Sequence, residues 1–556
     1  MQRHTTLIRG LFAGLISISL GCSGLGDREI TVLRTGGPAP VAVAASASAV
    51  PPATERTSGA EADEEAAPAQ DAFNREGYDH TPETPMVATL DRPLSTFSVD
   101  VDTASYSNVR RFLTGGVRPP ADAVRIEELI NYFDYDYGMP KGDHPIAIAT
   151  EVADCPWDDR SALVRIGLRA RDVAARRDPA KNLVFLLDVS GSMESPQKLP
   201  LLKRSLMQLT RQLTERDRVG IVVYAGASGV VLEPTAGNDR DAIEDALNDL
   251  RAGGSTNGAA GLELAYRLAA ENLVHGAINR VILATDGDFN VGVSSRGGLQ
   301  RLIEKQRDRG IFLTVLGFGM GNLQDSAMEM LADKGNGNYA YIDTDREARK
   351  VLVDEVGSTL HTVAKDTKIQ IELNPAVVSE YRLLGYENRR LADEDFNDDR
   401  KDAGDMGDGH TVTALYEVRF VADGVRARRQ IDPLKYGQRP ALRRSARDSG
   451  GALDEIMTVK VRYKDPDARD SRLLSHVVKT GGGDFFRASQ DFRFAVAVAA
   501  FGLILRDSPT TGGMTMGSVR QLVGDSMGRD RHGLRGEFLE LLQLADRAPQ
   551  RLGRAR

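Results

Sequence analysis

Oxygen donors of one chemical kind recur at three places in this 556-residue chain. Asp188-Val189-Ser190-Gly191-Ser192 offers a carboxylate and two hydroxyls, Gly253-Gly254-Ser255-Thr256-Asn257-Gly258 offers Thr256, and Thr285-Asp286-Gly287-Asp288 offers Asp286. Hydroxyl and carboxylate oxygens are hard ligands, suited to Mg²⁺ or Mn²⁺ in octahedral geometry. Ser190 and Ser192 stand two apart, so in a loop both hydroxyls can face one ion. Neutral hydroxyls quench little of a cation's field, and an ion held this way keeps an affinity for one outside anion. None of the three segments carries a His or Lys to serve as an obvious general base. One D-x-S-G-S alone is equally well a turn with N-capping serines. Three donor segments in order favour a metal site. Asp288 and Asn290 fit the rim of that site or a capping role equally well.

The elements around these segments fix where they must lie. LVFLL (183–187) is an apolar run ending at Asp188, KLPLLKRSLMQLTRQL is an amphipathic helix, and RVGIVVYAG and GVVLEP are strands. Helices DAIEDALNDL and GLELAYRLAAENL precede a further buried strand, RVILAT. Helix LQRLIEKQRDRG, strand IFLTVLGFG, helix QDSAMEMLADKG, strand NYAYID and helix REARKVLVDEVGSTL complete the alternation. Val-, Ile- and Leu-rich strands separated by helices predict a largely parallel sheet covered on both faces. Ligands of such sheets bind beyond the carboxyl ends of the strands, where Asp188 and Asp286 stand.

The D-x-S-x-S, Thr, Asp set resembles the metal-ion-dependent adhesion site of von Willebrand factor type A domains, in spacing and element order, over 181–361. LPLLKRSL, VYAGASG, LRAGGSTNGAAGLELAY, RVILATDGDFNVGVSS, GFGMGN, LADKGNGNYAYID, KIQIELNP, GYENR, DFNDD and GHTVTALYEV extend the likeness across about 78–545. The chain is identified as a member of the exported bacterial von Willebrand factor type A proteins with N- and C-terminal companion regions. The resemblance implies Asp188, Ser190, Ser192, Thr256 and Asp286 as the metal set, with the two aspartates acting mostly through bound waters. It implies a Glu or Asp carboxylate of a partner protein as the outside anion, and no catalytic residue.

Strand-like text flanks the central region on both sides. HPIAIATEVAD and SALVRIGLRARD precede it; KIQIELNPAVVSEYRLLGYENR, TVTALYEVRFV and EIMTVKVRYKD follow. A β-sandwich from about 145–173 plus 367–464, interrupted by the α/β domain, explains this, because insertion is tolerated where chain ends lie close together. The expected class is α/β: a doubly wound, mostly parallel, Rossmann-like sheet inserted in a β-sandwich, with an N-terminal α+β region and a C-terminal helical region. VRIEELINYFDYDY reads as a helix. Asp100 and Asp102 in SVDVDTAS read as solvated turn residues. Asp393, Asp395 and Asn397 have the first spacings of an EF-hand, but Asp398 stands where that loop needs Gly and Gly404 where it needs Glu, so a solvated acidic loop is the better reading. Phe494–Leu505 is too short an apolar run to span a bilayer and reads as a core helix, with Gly502 at a close helix contact. Cys155 reads as a buried small hydrophobe.

The N-terminus reads as an export signal. Arg3 and Arg9 precede the apolar LFAGLISISL, and Gly21-Cys22 follows. This resembles a bacterial lipobox, with Ser19 where Leu is usual, and implies lipidation at Cys22. Ser23 at the next position favours the outer membrane. Ala-, Pro-, Ser- and Glu-rich text up to about Gln70 reads as a disordered tether. The expected division is signal peptide 1–21, tether 22–72, N-terminal companion region with the first sandwich strands 73–178, type A domain 179–362, β-rich companion region 363–465 and helical region 466–556.

With 71 Lys and Arg against 79 Asp and Glu, the net charge is −8, which gives no reason to expect a nucleic-acid partner. Two cysteines make no disulfide framework, and no two of the eight histidines have zinc-protease spacing. The expected function is a lipid-anchored cell-envelope binding protein whose Mg²⁺ or Mn²⁺ grips an acidic residue of a partner protein. The alternative is a metal-dependent phosphatase-like hydrolase, whose Asp-x-Asp motif would have Ser190 in place of its acid. A third idea, an adaptor for a motor ATPase, fits an exported chain poorly.

Overall fold

The computed structural model describes residues 76–172, 179–255, 258–287, 296–355, 361–401, 403–421 and 453–548. The expected export signal with Cys22, the expected tether, Thr256, Asp288 and Asn290 lie outside the described residues. The chain begins with β1 (Val87–Ala88), β2 (Leu94–Ser98), α1 (Ala104–Thr114), α2 (Ile126–Asn131), β3 (Ile146–Asp154) and β4 (Ser161–Ala170). The alternating region follows: β5 (Lys181–Asp188), α3 (Leu199–Thr210), β6 (Arg218–Tyr224), β7 (Ser228–Ala236), α4 (Arg240–Asp249), α5 (Gly258–Glu271), β8 (Ile278–Thr285), α6 (Arg296–Arg307), β9 (Ile311–Phe318), α7 (Asp325–Lys334), β10 (Tyr339–Ile342) and α8 (Asp345–Arg349).

These six strands form one sheet in the order β10-β9-β8-β5-β6-β7, parallel except for the β6–β7 hairpin. The period-2 geometry of a strand splits the apolar run of β5 between two cores. Leu183, Phe185 and Leu187 pack with α3 and α4 on one face. Val184 and Leu186 pack with α5, α6 and α7 on the other. A run that is apolar at every position is thereby fully used, and β5 becomes a central strand with helices on both sides.

After α8 come β11 (Thr362–Leu373), β12 (Val378–Leu384), β13 (Met406–Gly407), β14 (Thr411–Phe420), β15 (Glu455–Lys464) and β16 (Arg472–Lys479). One antiparallel sheet runs β1-β12-β14-β4-β3, and a second runs β13-β11-β15-β16, with β2 also paired to β11. Val164, Ile166 and Leu168 of the first sheet share a core with Ile369, Ile371, Val459 and Val461 of the second. The sandwich is therefore assembled from both sides of the α/β region, as the flanking strand patterns predict. It also takes β16 from the region read as helical, because Leu474, His476 and Val478 alternate inward and pair the strand with β15.

The third layer is helical: α9 (Gln490–Leu505), α10 (Met516–Gly524) and α11 (Leu534–Arg547) pack with α1 and α2 around one core. Every residue from Phe494 to Leu503 in α9 is buried, as expected of a helix apolar on all sides. A Cβ at Gly502 would lie 3.0 Å from Leu129 and 3.1 Å from Ile126 of α2, so glycine sets that close approach. Among the described residues no helix is long and apolar enough to cross a membrane. The helix expected over VRIEELINYFDYDY is only α2. Beyond it Tyr135 and Tyr137 are buried while Asp134 and Asp136 are exposed, an extended period of two that ends the helix.

Asp100 and Asp102 correct the expectation of solvated turn residues. Asp102 is buried, accepts from Tyr339 N at 2.7 Å and from Arg389 Nη2 at 2.9 Å. Arg389 also reaches Glu329 at 2.6 Å, Asp333 at 2.9 Å and Asp100 at 3.5 Å. Arg125 holds Glu128 and Asp325 next to it. Two guanidiniums thus draw six carboxylates together where the N-terminal segment, α7 and the turn after β12 meet.

Candidate metal centre

Asp188 closes β5 at the carboxyl end of the sheet and is fully buried. Register places it beside Tyr224 of β6 and next to Thr285 of β8. Its Oδ2 accepts from the Tyr224 hydroxyl at 3.2 Å and from Thr285 Oγ1 at 3.1 Å, while Oδ1 accepts from Ser190 N at 2.9 Å. Burial pushes the Asp188 carboxyl above its ordinary range, against the Ser190 hydrogen bonds and with the help of the nearby Asp286 charge. A nearby cation would relieve that cost.

The loop beyond Asp188 is stitched to its neighbours. Val189 N donates to Tyr224 O at 3.0 Å, Gly253 N to Val189 O at 2.8 Å, and Gly191 N to Gly254 O at 3.1 Å. Gly254 has φ +84, a backbone conformation that a side chain would strain. Buried Met193 anchors the following turn. The result sets Ser190 Oγ 3.0 Å from Ser192 Oγ, with Ser192 exposed. The expected pairing of these hydroxyls on one side of the loop is present. Thr256 is outside the described residues, but the glycines leading to it are those bonded to Val189 and Gly191.

Asp286 follows β8 and is fully buried; its Oδ2 accepts from Lys198 Nζ at 2.8 Å. Sequence reasoning missed Lys198, which lies outside the three donor segments. The available signal was its place at the start of α3, ten residues after Asp188, just ahead of the apolar Leu199, Leu201 and Leu202. Gly191, Ser192, Gly253, Gly254 and Ser255 of these loops are exposed, and so are the charged Glu194 and Arg251.

The donor chemistry fits a hard divalent cation: buried carboxylates below, hydroxyls at the mouth, and two acids against one ammonium. Among the described residues no group of three or more His, Cys, Asp and Glu side chains is placed to hold a metal. A cation at this site would therefore depend on the serine hydroxyls. The other acidic candidate does not compete. Asp393–Asn397 is a short 3₁₀ turn in which Asp393 accepts from Thr96 and Asp395 from Ala392 N, while Asp398 pairs with Arg400. Cys155 is buried, and burial raises its thiol to about 12, so it is inert.

The sheet order, the flanking helices and the hydroxyl–carboxylate loop define a von Willebrand factor type A domain, and the family model of that description matches residues 182–355. A model described as von Willebrand factor matches 72–165, and one described as Uncharacterized protein YfbK, C-terminal, matches 358–548. The chain belongs to the YfbK family: it is 42% identical over 476 residues to Uncharacterized protein YfbK of Escherichia coli (strain K12), covering 84% of this chain and 81% of that one. It is 26% identical over 215 residues to human Inter-alpha-trypsin inhibitor heavy chain H4, covering 37% of this chain and 23% of the human one. Among solved structures, von Willebrand factor type A from Catenulispora acidiphila is similar at 16% identity, 72% and 89% coverage and a TM-score of 0.41. Domains of this type mediate protein–protein contacts and commonly bind a divalent metal at such a site.

Proposed function

We propose that the protein is a lipid-anchored binding protein of the bacterial cell envelope that holds an acidic residue of a partner protein through Mg²⁺ or Mn²⁺. Asp188, Ser190, Ser192, Thr256 and Asp286 would hold the ion, which supplies an electrophilic contact for a carboxylate. The observation that carries this reading is the charge layout. Among the described residues, two carboxylates, Asp188 and Asp286, stand against one ammonium, Lys198, at the base of the site. A divalent cation turns that balance positive and leaves demand for one more anion. An acidic group can approach although the whole chain carries −8, since charges beyond about 8 Å are largely screened at physiological salt.

Calorimetry on the full-length protein tests the metal. The parent should bind one Mg²⁺ or Mn²⁺, and the Asp188→Ala, Ser190→Ala double variant should lose that binding; unchanged binding in the variant refutes the site. Envelope proteins captured by the parent should be retained at least about tenfold less by Thr256→Ala or in EDTA, because truncating one side of a desolvated charged contact typically costs about 2–5 kcal/mol. Equal retention in all three conditions would move the binding surface to the sandwich or the C-terminal helices.

Anchoring rests on the short apolar segment before Gly21-Cys22, and each buried CH₂ of an acyl chain contributes about 0.8 kcal/mol. Expressed in a Gram-negative host, Cys22→Ser should shift from the outer-membrane fraction to the soluble periplasm and fail to take up labelled palmitate. A variant as membrane-bound as its parent, with no label in either, removes lipidation and the outer-membrane placement with it.

A further inference from the structure

Lys198 stands immediately before α3, and its side chain is 8% exposed. Its backbone is fixed from both sides, donating to Ser195 O at 2.9 Å and accepting from Leu202 N at 2.8 Å. The aliphatic stem lies against Gly319, the first residue after β9. A Cβ there would fall 2.3 Å from both Cγ and Cε of Lys198, and φ at Gly319 is +73. Only glycine leaves that groove open, and the groove aims the ammonium at Asp286 Oδ2, 2.8 Å away. Lysine is rarely buried without a partner, and here the buried partner belongs to the oxygen set that would hold the metal.

This contact has two physical effects. Without metal, the ammonium offsets the cost of burying Asp286 beside Asp188, two like charges in a water-poor pocket. With metal, the same ammonium stays walled in by Gly319, close to the incoming charge, and draws on a carboxylate the ion would also use. Like charges at such range repel more strongly inside a protein than in water.

We propose that Lys198 is an internal counter-ion of the metal site: it keeps the metal-free loop assembled and lowers the site's affinity for a divalent cation. The inference rests on the metal-site reading above and goes beyond it by assigning a residue that sets how tightly the ion is held. An ion held weakly by the protein alone is held better once a partner's carboxylate joins it, so metal and partner binding reinforce each other.

Calorimetric titration of the full-length protein with Mg²⁺ decides the matter. Lys198→Met removes the charge, and Lys198→Gln removes it while keeping a hydrogen-bond donor to Asp286. Both should bind Mg²⁺ at least about tenfold more tightly than the parent. Metal-free Lys198→Met should melt below the parent, and saturating Mg²⁺ should raise its Tm by more than it raises the parent's. Should Lys198→Met fold only with Mg²⁺ present, that outcome supports the proposal; should it not fold at all, Lys198→Gln carries the test. A parent that binds Mg²⁺ with both foldable variants equal to it or weaker overturns the counter-ion role and leaves the metal site standing. A parent without measurable binding beside Lys198 variants that bind supports the role in its strongest form. No binding in any of the proteins overturns both readings.

Discussion

Replacing Arg389 with methionine should destabilise the folded protein by about 3–5 kcal/mol, the range for breaking a buried ion pair from one side. The side chain is 6% exposed and faces Asp100, Asp102, Glu329 and Asp333. Methionine fills similar volume but leaves Asp100, Asp102 and Asp333 without that cation and Glu329 with only the more distant Arg125, 3.8 Å away, which already serves Glu128 and Asp325. The check is a urea titration followed by fluorescence, in which the midpoint should fall with little change in slope. Arg389→Lys should recover only part of the loss, since one ammonium cannot reach all the oxygens that a planar guanidinium serves. A midpoint within error of the parent's would mean that the cluster relaxes by taking up protons or water.

The same cluster predicts a pH effect of known sign. Burial, against the pull of Arg125 and Arg389, raises Glu329 to about 7, and burial likewise holds Asp100 and Asp102 well above the usual carboxylate range. The folded protein therefore keeps protons that the unfolded chain releases above about pH 4.5. This contribution to stability is fully present at low pH and is lost as pH rises toward about 7. Glu329→Gln mimics the protonated carboxyl permanently. It should match the parent near pH 5 and exceed it near pH 7.5 by on the order of 1–3 kcal/mol. Comparing variant with parent at each pH cancels carboxylates shifted the other way, such as Glu76 and Asp158. Parallel stability curves for the two proteins would show that Glu329 is ionised in the folded state throughout.

What could be read from the residues alone divides along the range of the interactions involved. The run Leu183–Leu187 announces a central strand because every position is apolar, and the helices beside it follow from local periodicity. The hydroxyl loop was legible for the same reason: Asp188, Ser190 and Ser192 lie within five residues, and their loop comes from one chain turn. Asp100 and Asp102 were misread because their pairing depends on Arg389, nearly three hundred residues away, and nothing local separates a paired aspartate from a solvated one. Lys198 escaped for the opposite reason. It lies close in sequence to the site, but its role depends on Gly319 and Asp286, which arrive from two other strands. Tyr135 and Tyr137 show a third kind of failure, in which a helical composition yields to cores that claim alternate side chains.

The first described residues of the folded part are bound to the end of the sheet that carries the candidate metal loops. Gly77 N donates to Leu323 O at 2.9 Å, Gly321 N donates to Glu76 Oε1 at 2.9 Å, and Arg111 clamps Glu76 from α1. Gly319, against which Lys198 lies, is two residues from Gly321, and Gly287, next to Asp286, abuts Leu323. The first described residues and the candidate metal loops thus lie at the same end of this sheet. Release of Glu76 from Gly321 and Arg111 would therefore loosen the strand ends that carry Gly319 and Asp286.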